Sequence, residues 1–453
     1  MKMLRNIMSV AASNIVGFGT SFIINFLLPA ILAVSDYGYY REYILYTSYT
    51  YLFNLGYNDG INIKYGGREL ADLDRQAVNA ERSFVTFFQI LMFILMLAVA
   101  LAKQDMVLVF FAVVTFFDTM RTYHQNFLQA IGVFSIYSRG NILKSLFYIG
   151  LLLLSVFVFR SDNYYLYIIL NILSYVFMYI YYEWHFGKHF GYRFTWSKAG
   201  KLNLFRIGFF ILIANMSLTF VANVGNWVVK WFYTIEDFAR YNFQNSMLNV
   251  ILLIVNAVGM VFYNIIAKQR ENNTYMNIIK QTSLILGIIG GLAFFALKLI
   301  IVNFLPQYLP SVSLLSVTFI AVPYIMLSRI LIANLYKSRT SEMVYFRDSL
   351  IYAGLSLAFV MAAHFVSHTM LGVASATSLC YLFWYIYATE LKFPYLKNTG
   401  REWLLIASHI PAFYLAANYL NPYLGALVYL AFLLGVVLCF KEDFKTIWGT
   451  LKN

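Results

Sequence analysis

The sequence has few charged residues, few prolines and only two cysteines. Charged residues make up 12% of the 453 positions, prolines number 7, and apolar residues account for 61%. A soluble core of this length does not need so large an apolar fraction, so the composition indicates a polytopic membrane protein. Cys380 and Cys439 both lie in long apolar runs, which argues against a disulfide framework.

The sequence also lacks a long polar segment between its apolar runs and a GxxxxGK[ST] phosphate loop. These absences argue against a folded catalytic domain outside the bilayer, and against the large outer loop of membrane ligases and polymerases. We therefore expect no enzyme activity and no cofactor. Any energy that the protein uses must come from an ion gradient or from its substrate.

Apolar runs long enough to span a bilayer recur along the whole chain. A spanning helix needs ~20 residues, and these runs are too long and too continuous for the alternating strands of a barrel. We predict an all-α polytopic fold of about 14 transmembrane helices. Their expected ranges are 7–34, 39–61, 83–101, 106–131, 141–159, 164–182, 207–232, 241–267, 279–301, 311–335, 347–367, 370–390, 403–420 and 423–440.

The basic residues are distributed unevenly between alternate loops. Most of the 33 Lys and Arg fall on the side of the N-terminus, which predicts that both termini are cytoplasmic. The net charge of +13 is then mainly a topology signal, with some attraction to membrane lipids of negative charge and no nucleic-acid partner. The first span lacks a small-residue cleavage site, so we expect it to be retained.

The second half of the chain repeats features of the first half at a shift of 201 residues. This shift places Asn14 on Asn215, Asn25 on Asn226, Asp36 on Asp237, Tyr37 on Phe238 and Tyr40 on Tyr241. We predict two six-helix bundles, 1–182 and 207–390, related by a pseudo-two-fold axis around a central cavity, with a terminal helix pair and tail at 391–453. The basic, aromatic stretch 183–206 is either an amphipathic helix on the membrane surface or a solvated linker.

Polar residues recur inside four predicted spans at the helical period. They are costly in a bilayer and usually face a bundle interior or a hydrated cavity, although amides also join helices to one another. The stripes are Asn14, Ser21 and Asn25; Asp118, Arg121, Gln125 and Gln129; Asn215, Thr219, Asn223, Asn226 and Lys230; and Asn242, Asn245, Asn249 and Asn256.

Charged residues of both signs lie in or beside these spans, and the cations among them suit an anionic substrate. The cations are Arg41, Arg121, Lys230, Arg240 and Arg329, and the carboxylates are Glu42, Asp59, Asp118, Glu183 and Glu390. Arg donates a planar fork of hydrogen bonds that matches phosphate. Simpler interpretations remain open: Arg329 can snorkel to headgroups, Asp118 and Arg121 can neutralise each other, and Asp59 can end a helix.

Two histidine pairs have the spacing of helical metal ligands, and we reject a metal site at both. His185 and His189 lie beside Lys188 and Arg193, which repel a cation, and neither this pair nor His364 with His368 has a third ligand nearby.

Two segments carry a family resemblance. The stretches LPAILAVSDYGYYREY (28–43) and LGYNDGINIKYGG (55–67) resemble the polysaccharide-biosynthesis flippases, the O-antigen or capsule repeat-unit translocases of the multidrug/oligosaccharidyl-lipid/polysaccharide exporter superfamily. Their helix number and cytoplasmic termini also fit this family. The resemblance implies alternating-access transfer of an undecaprenyl-pyrophosphate-linked oligosaccharide to the outer leaflet of the bacterial inner membrane.

The same resemblance implies roles for particular residues. Arg41, Arg121, Lys230 and Arg329 are the candidates for binding pyrophosphate or glycan, and Asp118 or Glu42 is the candidate for coupling to sodium ions or protons. The polar stripes and the carboxylates themselves add Asn215, Asn226 and Asn249 as candidate substrate contacts and Asp59 as a further coupling candidate. The expected partners are the lipid-linked oligosaccharide, membrane lipids and polysaccharide polymerase machinery. The alternatives are an ion-coupled multidrug exporter and a peptidoglycan-precursor lipid flippase of the same superfamily.

Overall fold

The computed structural model describes residues 2–196, 200–268, 272–339 and 342–440. These residues form α-helices joined by short 3₁₀, π-helical and extended segments, with no strand among them. The all-helical prediction is therefore confirmed. An α-helix pairs its backbone polar groups within its own segment, as a chain surrounded by hydrocarbon requires.

The chain divides into two compact units, Met1–Thr219 and Phe220–Asn453. The helices of the first unit are α1 (Lys2–Ile31), α2 (Val34–Thr47), α3 (Tyr57–Tyr65), α4 (Arg75–Ala102), α5 (Met106–Ala130), α6 (Phe134–Phe157) and α7 (Tyr164–Phe190). Helix α8 (Lys201–Phe232) carries the boundary. The predicted bundle limits at 182, 206 and 390 stay predictions, and the tail after residue 440 lies outside the described residues.

The second unit contains helices of unequal length. They are α9 (Ile235–Lys268), α10 (Asn273–Gly290), α11 (Leu292–Phe304), α12 (Ser311–Ile320), α13 (Val322–Leu327), α14 (Ala333–Arg339), α15 (Glu342–Ser367), α16 (Met370–Ile386), α17 (Gly400–Tyr419) and α18 (Pro422–Cys439). Two π-helical segments, Ser328–Ile332 and Tyr387–Lys392, follow α13 and α16.

Nine helices among the described residues are long and apolar enough to cross a membrane, or eleven if each of two bent pairs counts as one span. One of these pairs bends by 52° between α12 and α13, beside Pro323. The other three predicted spans correspond to α2 with α3, to α9 and to α17.

The second predicted span, 39–61, is not one continuous helix. Helix α2 ends at Thr47, a 3₁₀ turn follows at Thr50–Asn54, and α3 begins only at Tyr57. Leu55 and Gly56 between them have positive φ angles of 48° and 84°. Because hydrophobic periodicity averages over a window, it did not register a break of this length.

Side chains satisfy the backbone groups that this break leaves without helical partners. The Gln89 amide on α4 donates to the Phe53 carbonyl at 3.2 Å, and the Asn54 carbonyl oxygen Oδ1 accepts from the Gly56 N–H at 2.8 Å. The bonds to Phe53 and Gly56 make an interrupted helix tolerable at membrane depth. Asn58, after the break, donates to the Thr119 carbonyl at 3.0 Å and so attaches α3 to α5.

Glycines permit a close approach of α3 to α8. A Cβ atom on Gly208 would overlap the Gly56 carbonyl, and one on Gly60 would overlap the Leu204 backbone. An aromatic core packs beside this contact and includes Tyr57, Tyr65, Tyr123, Phe127, Phe186 and Phe190.

Helices occupy both ends of the predicted linker 183–206: α7 continues to Phe190, and α8 begins at Lys201. Residues 191–196 have no regular secondary structure. The Trp196 ring packs edge-on against Phe87 of α4, with ring centroids 5.4 Å apart. This segment is thus attached to the first unit, and a contact of the linker with the membrane surface stays a prediction.

A buried ion pair attaches α17 to α10 in the second unit. Lys280 Nζ lies 2.9 Å from Glu402 Oε2, and both side chains are only 1% exposed. Glu402 also accepts from the Thr399 backbone N–H at 2.8 Å and so completes a capping box at the start of α17. The charge of each partner is compensated within the protein.

The substitution Gly208→Ala tests the contact between α3 and α8. The added methyl group meets backbone atoms of Gly56, which cannot move aside as a flexible side chain could. Overpacking of this kind costs about 1–3 kcal/mol, so we expect a lower Tm for the purified protein in detergent. Gly150→Ala on α6 is the matched control because its Cβ would meet nothing within 4 Å. Its Tm should be unchanged or higher, and an unchanged Tm for Gly208→Ala would contradict the contact.

Candidate functional site

A charged pair occupies α5 in the first unit. Arg121 Nε donates to Asp118 Oδ1 at 2.9 Å, and Nη2 of the same guanidinium contacts that oxygen as well. The Thr50 hydroxyl, in the break between α2 and α3, donates to Asp118 Oδ2. The side chains of Asp118 and Arg121 are only 13% and 18% exposed. The predicted pairing of these two residues is present, and the carboxylate is bound from two sides.

A chain of amides continues from Arg121 to the neighbouring helices. Arg121 Nη1 donates to Gln125 Oε1 at 2.8 Å. The Gln125 amide donates in turn to Asn141 Oδ1 on α6 at 3.0 Å and to the Tyr182 hydroxyl on α7 at 3.2 Å. These bonds hold the guanidinium in one orientation, which reduces the entropy lost when it binds an anion.

A second cation lies beside the same network. Lys144 Nζ on α6 is 3.5 Å from the centre of the Tyr175 ring, and Arg121 Cζ is 5.3 Å from the same centre. Lys144 forms no ion pair with any residue that the structure describes. Two cations therefore lie beside one aromatic ring, and the single carboxylate of the group is paired with Arg121, an arrangement that favours an anionic ligand. We call Asp118, Arg121, Lys144 and Tyr175 the α5–α7 cationic cluster.

The sequence analysis assigns no role to Lys144. It lies near the start of the predicted span 141–159, where a lysine is readily assigned to the adjoining loop. The spacing of Asn141, Lys144 and Tyr148 could have identified it, because intervals of three and four residues place their three polar groups on one helix face.

Tyrosine hydroxyls join the helices around this cluster. The Tyr43 hydroxyl on α2 donates to Asn171 Oδ1 on α7 at 2.9 Å. The Tyr40 and Tyr148 hydroxyls lie 3.2 Å apart and so connect α2 to α6. Each of these three tyrosines is less than 5% exposed. They support the cluster from the interior and are not themselves exposed to a ligand.

The other two predicted coupling carboxylates lie on α2 and α3. Glu42 is buried and accepts from the Tyr46 hydroxyl at 2.7 Å. Asp59 is partly buried in the short helix α3. Arg41, which adjoins Glu42, is also partly buried, and its Nε atom is buried without a hydrogen bond.

Two further groups of ion pairs join helices of the first unit, namely α3, α4, α5, α7 and α8. Glu81 lies 2.5 Å from Lys64 and 2.5 Å from Lys201. Glu183, a carboxylate that the sequence singled out, lies 2.6 Å from Arg82 and 3.3 Å from His124. Because these carboxylates are each bound by two basic groups, we interpret them as structural.

Asparagines of the second unit form a bridge between α8 and α9. Asn245 Nδ2 donates to Asn226 Oδ1 at 2.5 Å, and Asn226 Nδ2 donates to Asn223 Oδ1 at 2.9 Å. Asn226 is 4% exposed. This geometry is that of amides that join helices, the simpler of the two interpretations offered by the sequence.

The remaining predicted residues lie on several elements. Lys230 Nζ is 6.0 Å from the centre of the Phe238 ring, and Arg329 is partly buried in the π-helical segment after α13. Asn215 and Asn249 are exposed on α8 and α9. The side chain of Asn256 lies outside the described part of the chain.

Asp36, the acid of the predicted outer turn, lies in the first turn of α2. Partial burial and the nearby charge of Asp162 raise its pKa above the ordinary value. Asp36 at this turn and Asp162 between α6 and α7 thus lie near each other.

Comparisons with known proteins add the fold family. No family model matches the sequence, and no curated protein sequence matches it. Among solved structures, the lipid II flippase MurJ in an inward closed conformation superposes with a TM-score of 0.71 at 14% identity, covering 97% of this chain and 99% of that one.

Two transporters of the MOP superfamily have the same architecture. An inward-facing multidrug resistance MATE family transporter gives a TM-score of 0.58 at 13% identity, with 88% of this chain and 95% of that chain covered. A MOP superfamily transporter from Pyrococcus furiosus, for which a reversed polarity of the binding pocket suggests a different function, gives 0.52 at 13% identity, with 87% and 96% covered. The chain is a multi-pass membrane protein that shares its fold with these flippases and transporters.

Proposed function

We propose that the protein is a flippase that moves an undecaprenyl-pyrophosphate-linked oligosaccharide from the cytoplasmic to the outer leaflet by alternating access. The α5–α7 cationic cluster is the observation that carries this proposal. It combines two cations with one carboxylate within membrane-spanning helices. A fold shared with a lipid II flippase supports the same class of substrate.

The two cations of the cluster suit different parts of a pyrophosphate group. Arg121 presents a planar guanidinium whose orientation is fixed by Asp118 and Gln125. Lys144 is a point charge on a flexible stem, with the Tyr175 ring as its contact. An entering phosphate can therefore bind the Lys144 ammonium group without breaking an existing ion pair. Arg121 then adds its own hydrogen bonds to the phosphate.

Asp118 is the coupling group in this proposal. Its negative charge orients Arg121 and partly cancels the positive charge of the cluster. Binding of the coupling cation at this carboxylate would weaken its hold on Arg121 and raise the net positive charge that faces the substrate. Glu42 and Asp59 are the second candidates.

Uptake of substrate into proteoliposomes under a proton gradient, a sodium gradient or neither distinguishes the coupling ions.

The alternatives differ in substrate. A multidrug exporter moves organic cations and needs an acidic site, which the two cations of the cluster disfavour. A peptidoglycan-precursor flippase would use the same anion chemistry, and the fold shared with MurJ agrees with it equally.

Deletion of the gene with complementation tests the proposal. The expected result is loss of surface polysaccharide with accumulation of undecaprenyl-linked repeat units inside, both reversed by the intact gene. Normal polysaccharide with greater sensitivity to cationic drugs would support the multidrug exporter. Lysis on depletion, with accumulated peptidoglycan precursor, would support the precursor flippase.

Substitution of Lys144 tests the role of the cluster. A charge-assisted hydrogen bond contributes about 1.5–3 kcal/mol, so Lys144→Ala should raise the half-saturating concentration of lipid-linked substrate by roughly 10- to 100-fold in proteoliposome flipping assays. Lys103→Ala, at the exposed end of α4, is the matched control and should behave as wild type. Equal values for both variants would remove Lys144 from the site.

Substitution of Arg121 tests the geometry of the guanidinium. An ammonium group cannot bind Asp118 and Gln125 through separate nitrogens as Arg121 does. Arg121→Lys should therefore abolish surface polysaccharide almost as fully as Arg121→Ala, with normal amounts of both variants in the membrane. Substantial polysaccharide from Arg121→Lys would mean that charge alone suffices.

A double-mutant cycle measures the strength of the pair itself. Asp118→Ala leaves Arg121 charged and buried, which costs about 3–5 kcal/mol, so the double Ala variant should lose less stability than the two single losses together. The pair Asp237 and Arg240 has the same spacing and order but is 28% and 32% exposed at 3.6 Å, and serves as control. Its coupling should be about 0–1 kcal/mol. Similar couplings measured by unfolding of the two pairs would contradict a buried Asp118–Arg121 pair.

A further inference from the structure

The second unit has a groove between α15 and α16 with a volume of about 640 Å³. This volume falls within the roughly 300–1,000 Å³ typical of small-molecule sites. Its walls are mainly apolar and aromatic. They include Ile351, Tyr352, Leu355, Phe359, Phe383 and Trp384.

One end of the groove is charged. Asp348 Oδ2 lies 2.6 Å from Lys392 Nζ, and Asp348 Oδ1 lies 3.1 Å from Arg347 Nη2. The Tyr336 hydroxyl also donates to Asp348, at 2.9 Å. The carboxylate is 3% exposed, whereas the Arg347 side chain is 64% exposed. Two cations thus share one saturated carboxylate, and Arg347 has donors left for an anion outside.

Aromatic rings separate the charged end from the apolar walls. Trp384 stacks on Tyr352 with ring centroids 4.4 Å apart and lies 5.6 Å from the Tyr387 ring. Rings of this type collect at the depth of lipid headgroups. The charged end is also the side that the distribution of Lys and Arg predicts to be cytoplasmic.

The apolar part of the groove has the length of one membrane leaflet. From Arg347 to Phe359, α15 rises by roughly 18 Å, compared with about 15 Å for half of the hydrocarbon core. Leu355 is 65% exposed, Ile351 53% and Phe383 50%, so these walls face the surrounding hydrocarbon.

We propose that this groove binds an acyl chain of an anionic glycerophospholipid, whose phosphate rests against Arg347 and Lys392. The net positive charge at the headgroup end matches an anionic headgroup, and the single-leaflet length matches an ordinary acyl chain, in contrast to a far longer polyprenyl chain. The site lies in the second unit and is separate from the α5–α7 cationic cluster, so this inference does not depend on the proposed function.

Photo-crosslinking of the full chain in nanodiscs tests the site. Phosphatidylglycerol and phosphatidylcholine probes with the same diazirine in one acyl chain are compared by mass spectrometry of the labelled peptides. We expect labelling at 351–359 and 380–384, with about fivefold preference for phosphatidylglycerol for each cation engaged. Arg347→Glu should remove most of this preference. Arg401→Glu, an exposed arginine at the start of α17, is the matched control and should retain it.

A second variant tests the apolar part. Leu355→Trp places a large ring in the groove at an exposed position, where it should not prevent folding, and should reduce labelling by both probes. Equal labelling by the two lipids in the unmodified protein would overturn the proposal, because the groove would then hold lipid without selecting its charge. Displacement of the phosphatidylglycerol probe by equimolar polyprenyl phosphate would also overturn it and would assign the groove to a polyprenyl lipid.

Discussion

The structure depends on one constraint: polar groups within the hydrocarbon region must find partners inside the protein. The break between α2 and α3 is permitted because the side chains of Gln89 and Asn54 supply hydrogen bonds to its backbone groups. Most of the buried carboxylates meet the same requirement with two or more donors each, and the Lys280–Glu402 pair meets it at the junction of α10 and α17. The cationic cluster meets it less fully, since Lys144 contacts the Tyr175 ring and forms no ion pair within the described part of the chain. This difference separates the groups that hold the fold from those suited to bind a ligand.

The sequence was sufficient to predict the helices and several of their contacts. Long apolar runs determine membrane spans because the length of a spanning helix is set by the bilayer, and the local pair of Asp118 with Arg121 followed from their spacing of three. The turns after α1 and α8 begin 201 residues apart, at positions 32 and 233, the same shift that aligns the two halves of the sequence.

Other features required the structure because they arise from contacts between distant positions. Thr50 reaches Asp118 across 68 residues, and the break that positions it has no local signal beyond a few hydroxyl residues. The role proposed for Lys144 depends on its contact with the Tyr175 ring, which lies on another helix, α7. Asn226, which stays a predicted substrate contact, donates to Asn223 and accepts from Asn245, so its amide also joins α8 to α9. Residue type alone did not distinguish an amide that joins helices from one that awaits a ligand.

The break between α2 and α3 would be an obvious place to expect a hinge, but its contacts indicate the opposite. Thr50 before the positive-φ turn and Asn58 after it both bond to adjacent residues of α5, one to the Asp118 side chain and the other to the Thr119 carbonyl. The turn is therefore hydrogen-bonded to α5 on both flanks, and we expect it to move together with that helix. The Asp118 carboxylate binds both Thr50 of the turn and Arg121. Removal of its charge would therefore weaken both contacts together: the turn would be held less firmly to α5, and the guanidinium would lose its fixed orientation.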